Sequence, residues 1–162
     1  MDKKIHIVHR ANGLLQYLHM KLNFNLTDIQ TNWLQRLALA LVYGWFGLLK
    51  IFATSPAESL VKDLLAQTMP FIPFPIFLPL LGAAEILLAI VWLVPRATKL
   101  AFVLTITHMI MTFGPMVLLP THTWLGLMQP TLEGQYIIKN VLIIAMVFSL
   151  LSQHRKTLKA NE

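Results

Sequence analysis

The 162-residue chain contains no cysteine, which excludes thiol–disulfide exchange, Cys-ligated iron–sulfur clusters and thiolate nucleophiles. Charge is scarce: Asp, Glu, Lys and Arg make up 12% of the residues, against about 25% in a typical soluble domain. That scarcity argues against a water-soluble core. No glycine-rich phosphate loop is present, and no dense His/Asp/Glu cluster marks a metal site. Residues 1–30 lack the continuous apolar core and small-residue cleavage site of a signal peptide, so the first apolar stretch is expected to act as its own insertion signal.

Apolar sequence fills the remainder. Hydrophobic residues account for 56% of the chain, and the mean hydropathy is +0.64. From Trp33 onward they gather into four stretches, each about long enough to cross a bilayer. One compact all-α unit is expected, a polytopic membrane four-helix bundle with the lipid bilayer as its first partner. Its organisation reads as a cytoplasmic amphipathic segment over 1–30, a transmembrane domain over 31–152 and a basic cytoplasmic tail over 153–162.

A net charge of +6 is compatible with nucleic acid, but its distribution points elsewhere. Lys3, Lys4, Arg10, Lys21 and Arg36 precede or open the first span, Arg96 and Lys99 fill the turn between the second and third, and Arg155, Lys156 and Lys159 follow the fourth. The connector over 53–74 holds only Lys62, and that over 119–134 holds no Lys or Arg. This alternation obeys the positive-inside rule and predicts cytoplasmic termini, with no role for nucleic acid.

Ile5, Val8, Leu15, Leu18 and Leu22 recur at near-helical spacing, as in a helix lying on the cytoplasmic membrane surface; a loosely ordered tail is the other reading. Thr27-Asp28-Ile29-Gln30 matches a capping box and predicts a first span running to about Phe52. Ser55-Pro56-Ala57-Glu58 is a second start signal, and the spacing of Leu60, Val61, Leu64 and Leu65 predicts a short outer amphipathic helix over residues 56–66. The prolines at 70, 73 and 75 demand extended chain. A second span over about 75–94, a third over 98–118 with a bend at Gly114-Pro115, and a fourth over about 134–151 complete the pattern.

The spans carry ionisable groups. Lys50 lies late in the first, Glu85 midway along the second, His108 midway along the third and Lys139 early in the fourth. Such groups are expensive in hydrocarbon, so they face the bundle interior and pair with one another. Tyr43, Gly47 and Lys50 share one helix face, as do Gly82, Glu85 and Ala89, then Thr105, His108 and Thr112, then Gln135, Lys139 and Leu142. Side chains lean toward a helix's amino terminus. Lys50 on an outward-running helix and Glu85 on an inward-running one therefore lean toward each other across roughly 8 Å of depth, counted at 1.5 Å per residue. They are expected to pair. Lys139 leans to the outer surface, toward Glu133, loop carbonyls or an anionic ligand. Together Lys50, Glu85, His108 and Lys139 form the expected ligand-binding or proton-exchange seam, with Glu133, Gln135, Tyr136 and Asn140 as outer contacts. Other readings stand beside this one: snorkelling for Lys50 and Lys139, a purely structural ion pair for Glu85, a hydrogen-bonded core residue for His108, and packing for Thr105 and Thr112. His108 alone at membrane depth leaves b-type haem without a second axial ligand.

Gly44-Trp45-Phe46-Gly47-Leu48-Leu49-Lys50 and Gly82-Ala83-Ala84-Glu85 resemble the signature of DoxX-like membrane proteins. The run from Pro130 to Asn140 resembles the opening of the fourth helix in a DoxX-like subgroup. The resemblance covers residues 34–151. It implies a four-helix protein of the bacterial inner membrane, with Lys50, Glu85 and Lys139 on the family's charged pattern and His108 outside it. Some such proteins are subunits of thiosulfate:quinone oxidoreductases or of membrane oxidoreductase assemblies. Two functions follow as expectations. One is a redox-associated subunit binding a quinone-like or other small apolar molecule, its electrons drawn from a soluble or membrane redox partner. The other is a non-enzymatic scaffold or small transport protein whose charges fix helix register.

Overall fold

The computed structural model describes residues 27–160. The surface helix expected within 1–30 lies outside them. Helix α1 (Asp28–Ile51) opens on a reciprocal cap, in which the Thr27 N–H donates to Gln30 Oε1 at 3.0 Å and the Gln30 N–H to Thr27 Oγ1 at 3.3 Å. Its buried residues, Arg36, Leu39, Tyr43, Gly47 and Lys50, recur every three or four positions and so form one stripe. Leu37, Leu41, Trp45 and Phe52 point away from it and remain exposed.

Helix α2 (Glu58–Thr68) starts two residues later than the sequence predicts. Ser55 still serves the turn: its hydroxyl accepts from the Ala57 N–H at 3.3 Å and its carbonyl from the Glu58 N–H at 3.1 Å. Leu65 is buried, Leu60, Val61 and Leu64 are half-buried, and Lys62 is exposed, the amphipathic split expected of this segment. Helix α3 (Phe74–Trp92) contains Pro79 and ends before the 3-10 turn Pro95–Ala97. That turn leads into α4 (Thr98–Phe113), and the short α5 (Pro115–Leu118) follows Gly114.

At the loop end of the bundle, α6 (Pro120–Thr123) leads into a small antiparallel hairpin, β1 (Trp124–Gly126) and β2 (Gln129–Pro130). Trp124 Nε1 donates to the Met116 carbonyl at 3.0 Å and the Thr131 N–H to the Thr123 carbonyl at 3.0 Å, which holds the hairpin against α5 and α6. Strands this short carry no periodic signal, and the sequence showed only a loop here. Thr131 caps α7 (Leu132–Lys139) by accepting from the Gly134 N–H at 3.1 Å.

The fourth span differs from expectation in two ways. It is interrupted at Asn140, and after that break α8 (Val141–Ala160) continues nine residues past Leu151, through what was expected to be a tail. No Gly or Pro follows Leu151 to stop it, and Arg155, Lys156 and Lys159 favour the negative end of the helix dipole.

The core gathers Leu39, Tyr43, Leu88, Ala89, Trp92, Ala101, Met109, Val147 and Leu150 from α1, α3, α4 and α8. Four segments, Asp28–Ile51, Phe74–Trp92, Pro95–Leu118 and Leu132–Ala160, are long and apolar enough to cross a bilayer, and only 22–28% of each apolar window is buried. The remaining apolar surface points outward while Arg36, Lys50 and Glu85 point in. That pattern suits lipid, not water. The architecture is an all-α, multi-pass membrane four-helix bundle.

Candidate functional site

The site begins with two glycines. Gly47 on α1 and Gly82 on α3 let the two backbones touch, as small residues do between membrane helices. Lys50 and Glu85 each lie three residues further along, on the same faces. Lys50 Nζ donates to Glu85 Oε2 at 2.7 Å, and to its own helix at the Phe46 carbonyl at 3.4 Å. Glu85 is 4% exposed. An ionised carboxylate at that burial needs both its oxygens served.

The second oxygen is served by α4. His108 Nε2 lies 3.1 Å from Glu85 Oε1. The hairpin through Pro95–Ala97 explains why: Glu85 lies eleven residues before Arg96 and His108 twelve after it, so the two stand at one depth on antiparallel helices. Tyr43 of α1 packs edge-on against the imidazole, with ring centroids 5.4 Å apart. Glu85 is thus shared between an ammonium and an imidazole.

Thr112 completes the group. Its single hydroxyl hydrogen has two acceptors in reach, the His108 carbonyl at 2.9 Å and His108 Nδ1 at 3.3 Å. Nδ1 donates to Thr112 Oγ1 when the ring proton sits there, and accepts from the hydroxyl when the proton sits on Nε2, which then donates to Glu85 Oε1.

Two further buried groups line this region. Trp92 Nε1 donates to Thr105 Oγ1 at 2.9 Å. Tyr43 is 3% exposed, and its hydroxyl lies beside Thr105 without a well-formed hydrogen bond among the described residues. A buried hydroxyl normally has one.

Lys139 is not part of this cluster. It is exposed on α7, with its ammonium 4.9 Å from the centre of the Tyr136 ring. Glu133, Gln135 and Tyr136 are likewise exposed and Asn140 is half-buried. Among the described residues none of these four shares a hydrogen bond or ion pair with Lys50, Glu85 or His108. Of the four seam residues, Lys50, Glu85 and His108 come together, flanked by Tyr43 and Thr112, and Lys139 stands apart. Lys139 sits on α7, beyond the interruption at Asn140, so the face it shares with α8 in a continuous helix is lost.

A second buried cation was counted in the sequence only as a loop-side charge. Arg36 is 2% exposed. Its Nη1 donates to the Trp92 carbonyl at 3.0 Å, Nη2 to Thr98 Oγ1 at 2.6 Å and Nε to Asn32 Oδ1 at 2.7 Å. The guanidinium thereby supplies a donor to the carboxyl end of α3, where backbone carbonyls lack helical partners. Its place in the Arg36–Tyr43–Gly47–Lys50 stripe was the available signal.

Fold and site define a multi-pass membrane bundle with a buried polar cluster at its core. Comparison of the chain with protein-family models, curated proteins and solved structures gives no match.

Proposed function

We propose that the protein sits in a bacterial inner membrane with both termini cytoplasmic, and that the Glu85-centred cluster binds one carbonyl oxygen of a small apolar molecule, a quinone or a compound like it. The supporting observation is the shared carboxylate: Glu85 bridges Lys50 and His108, and the imidazole's other nitrogen faces the Thr112 hydroxyl. The donor set suits a carbonyl. Lys50 has three ammonium hydrogens and two protein acceptors, and the Tyr43 hydroxyl makes no well-formed hydrogen bond among the described residues. The fit is to one oxygen, because Lys139, the donor expected for a second, is elsewhere. A quinone, when bound, supplies a carbonyl that gains a proton on reduction. Lys50 orients that oxygen, His108 and Glu85 hold the proton, and the surrounding helices exclude water. Electrons come from a soluble or membrane redox partner. The DoxX-like resemblance of the segments around Lys50 and Glu85 favours the same reading.

Gentle purification from native membranes, lipid extraction and mass spectrometry test it. Wild-type protein should carry near-stoichiometric quinone-type lipid and Glu85→Gln should carry little. Equal background amounts in both would overturn it.

A second reading has its own observation. Both Glu85 oxygens already have protein partners, as a purely structural pair that fixes helix register would require. Under that reading Glu85→Gln lowers stability and no lipid distinguishes the variants.

A further inference from the structure

The hairpin between α6 and α7 ends in a two-residue loop, Leu127–Met128, closed by Gly126 opposite Gln129. Such loops are ordinarily built from Asn, Asp and Gly, whose backbones enter the left-handed region readily and whose side chains suit water. Here Met128 enters that region, with a φ of 59°. Leu127 is 96% exposed and Met128 86%, and Leu125, two residues back on β1, is exposed beside them. From Leu119 to Leu132 the chain contains no Lys, Arg, Asp or Glu. The tip of the hairpin is therefore apolar and uncharged where a turn facing water is polar.

Hydrogen bonds fix the depth of this hairpin. Trp124, which opens β1, donates through Nε1 to the carbonyl of Met116 at 3.0 Å, and Met116 lies two residues inside the end of the third apolar segment. On the other strand's side, Thr131 Oγ1 donates to the His122 carbonyl at 2.7 Å. Gly134, two residues into the fourth apolar segment, lies against the Thr123 carbonyl. The hairpin thus branches at the level where two spans leave the hydrocarbon. The neighbouring surface is apolar as well, with Val117 and Leu118 exposed on α5 and Leu132 and Tyr136 on α7. Val117, Leu118 and Leu132 belong to the spans, so the surface at the tip continues the one that faces lipid. Trp124 and Tyr136 are of the types that gather at the membrane–water interface.

We propose that the hairpin is a membrane anchor, with Leu125, Leu127 and Met128 seated at the headgroup–acyl boundary of the leaflet at the loop end of the bundle. Apolar side chains buried at that boundary bind a membrane surface in proportion to the area they bury. Because the tip has no cation, the attraction is apolar and needs no anionic lipid. Through Trp124 and Thr131 the anchor holds the adjoining ends of α5 and α7 at a fixed depth. It involves none of Lys50, Glu85 and His108 and stands whether or not their cluster binds a ligand.

Since the chain has no cysteine, Met128→Cys carries a single environment-sensitive fluorophore. The labelled protein is placed singly in phosphatidylcholine nanodiscs, and the reference is the same label at Lys156→Cys, exposed on α8. A nitroxide near the top of the lipid acyl chain should quench most of the emission from position 128, and one near the end of the chain should quench little. Position 156 should be quenched by neither and should emit at longer wavelength. In a Leu125→Asn/Leu127→Asn background the probe at 128 should lose the lipid quenching and shift to the emission of the reference, while Tm in detergent stays unchanged. Emission like the reference without those two changes, or equal quenching with and without them, would overturn the proposal. A blue-shifted probe that neither nitroxide quenches would mean that protein covers the tip, and would overturn it too.

Discussion

Gly47 and Gly82 stand back to back across the contact between α1 and α3. A Cβ built on Gly47 would lie 2.7 Å from the Gly82 carbonyl oxygen, and one built on Gly82 would lie 2.6 Å from the Gly47 carbonyl oxygen. Since both obstacles are backbone, neither can swing aside. The approach sets the spacing of everything three residues on, where Lys50 meets Glu85 at 2.7 Å.

Gly47→Ala and Gly82→Ala should each destabilise the bundle by about 1–3 kcal/mol, as overpacking does. Gly44→Ala is the control, because its Cβ would meet only the Ala89 Cβ at an ordinary 3.7 Å. Melting in detergent should rank Gly44→Ala near wild type and the other two well below it. Three equal values would mean that the helices do not touch at these glycines.

Arg36→Met should leave the Trp92 carbonyl, the Thr98 hydroxyl and the Asn32 amide oxygen short of a donor. Each buried group left unserved costs about 1–3 kcal/mol. Arg36→Lys keeps the charge but cannot span the same fork and should recover only part of the loss. Thermal unfolding of the two variants beside wild type checks both statements, and a silent Arg36→Met would contradict them.

Tyr43→Phe separates stability from binding. The hydroxyl it removes has no well-formed hydrogen bond among the described residues, so the protein without ligand should be as stable as wild type, or more stable by up to about 1 kcal/mol. Co-purified quinone should fall. A clear loss of stability would mean that the hydroxyl is bonded within the protein.

The two ends of the bundle should label from opposite sides of the membrane. Since the chain has no cysteine, single replacements Met128→Cys at the hairpin tip and Lys159→Cys near the end of α8 report cleanly. An impermeant maleimide added outside intact cells should reach position 128 and not 159. Labelling of both from outside would contradict the single crossing assigned between the hairpin and position 159.

How much of this was legible depended on the physics of each contact. The Lys50–Glu85 pair followed from helix direction and side-chain lean. The Glu85–His108 contact was also available, since the two residues are symmetric about the Pro95–Ala97 turn, but lean alone gave His108 no partner. Arg36 was hidden by charge counting: near a helix end a cation reads as loop-facing, and only its place in the buried stripe says otherwise. Lys139 stands apart from the other three because periodicity assumes an unbroken helix, and Asn140 interrupts it. The unsatisfied Tyr43 hydroxyl has no sequence signature at all. It depends on what lies across the core.

A double-mutant cycle on Lys50 and Glu85 tests the buried cluster most directly. Lys50→Met alone strands the carboxylate, Glu85→Gln alone strands the ammonium, and each should lower stability by about 3–5 kcal/mol unless the remaining charge is neutralised or snorkels. The double variant contains neither stranded charge and should recover much of the loss, giving a coupling of at least about 1 kcal/mol. Unfolding is followed by detergent-solubilised Tm and denaturant titration on all four proteins. A double variant clearly more stable than the sum of the singles is the expected result. Silent single changes, or effects that simply add, would show that Lys50 and Glu85 do not interact.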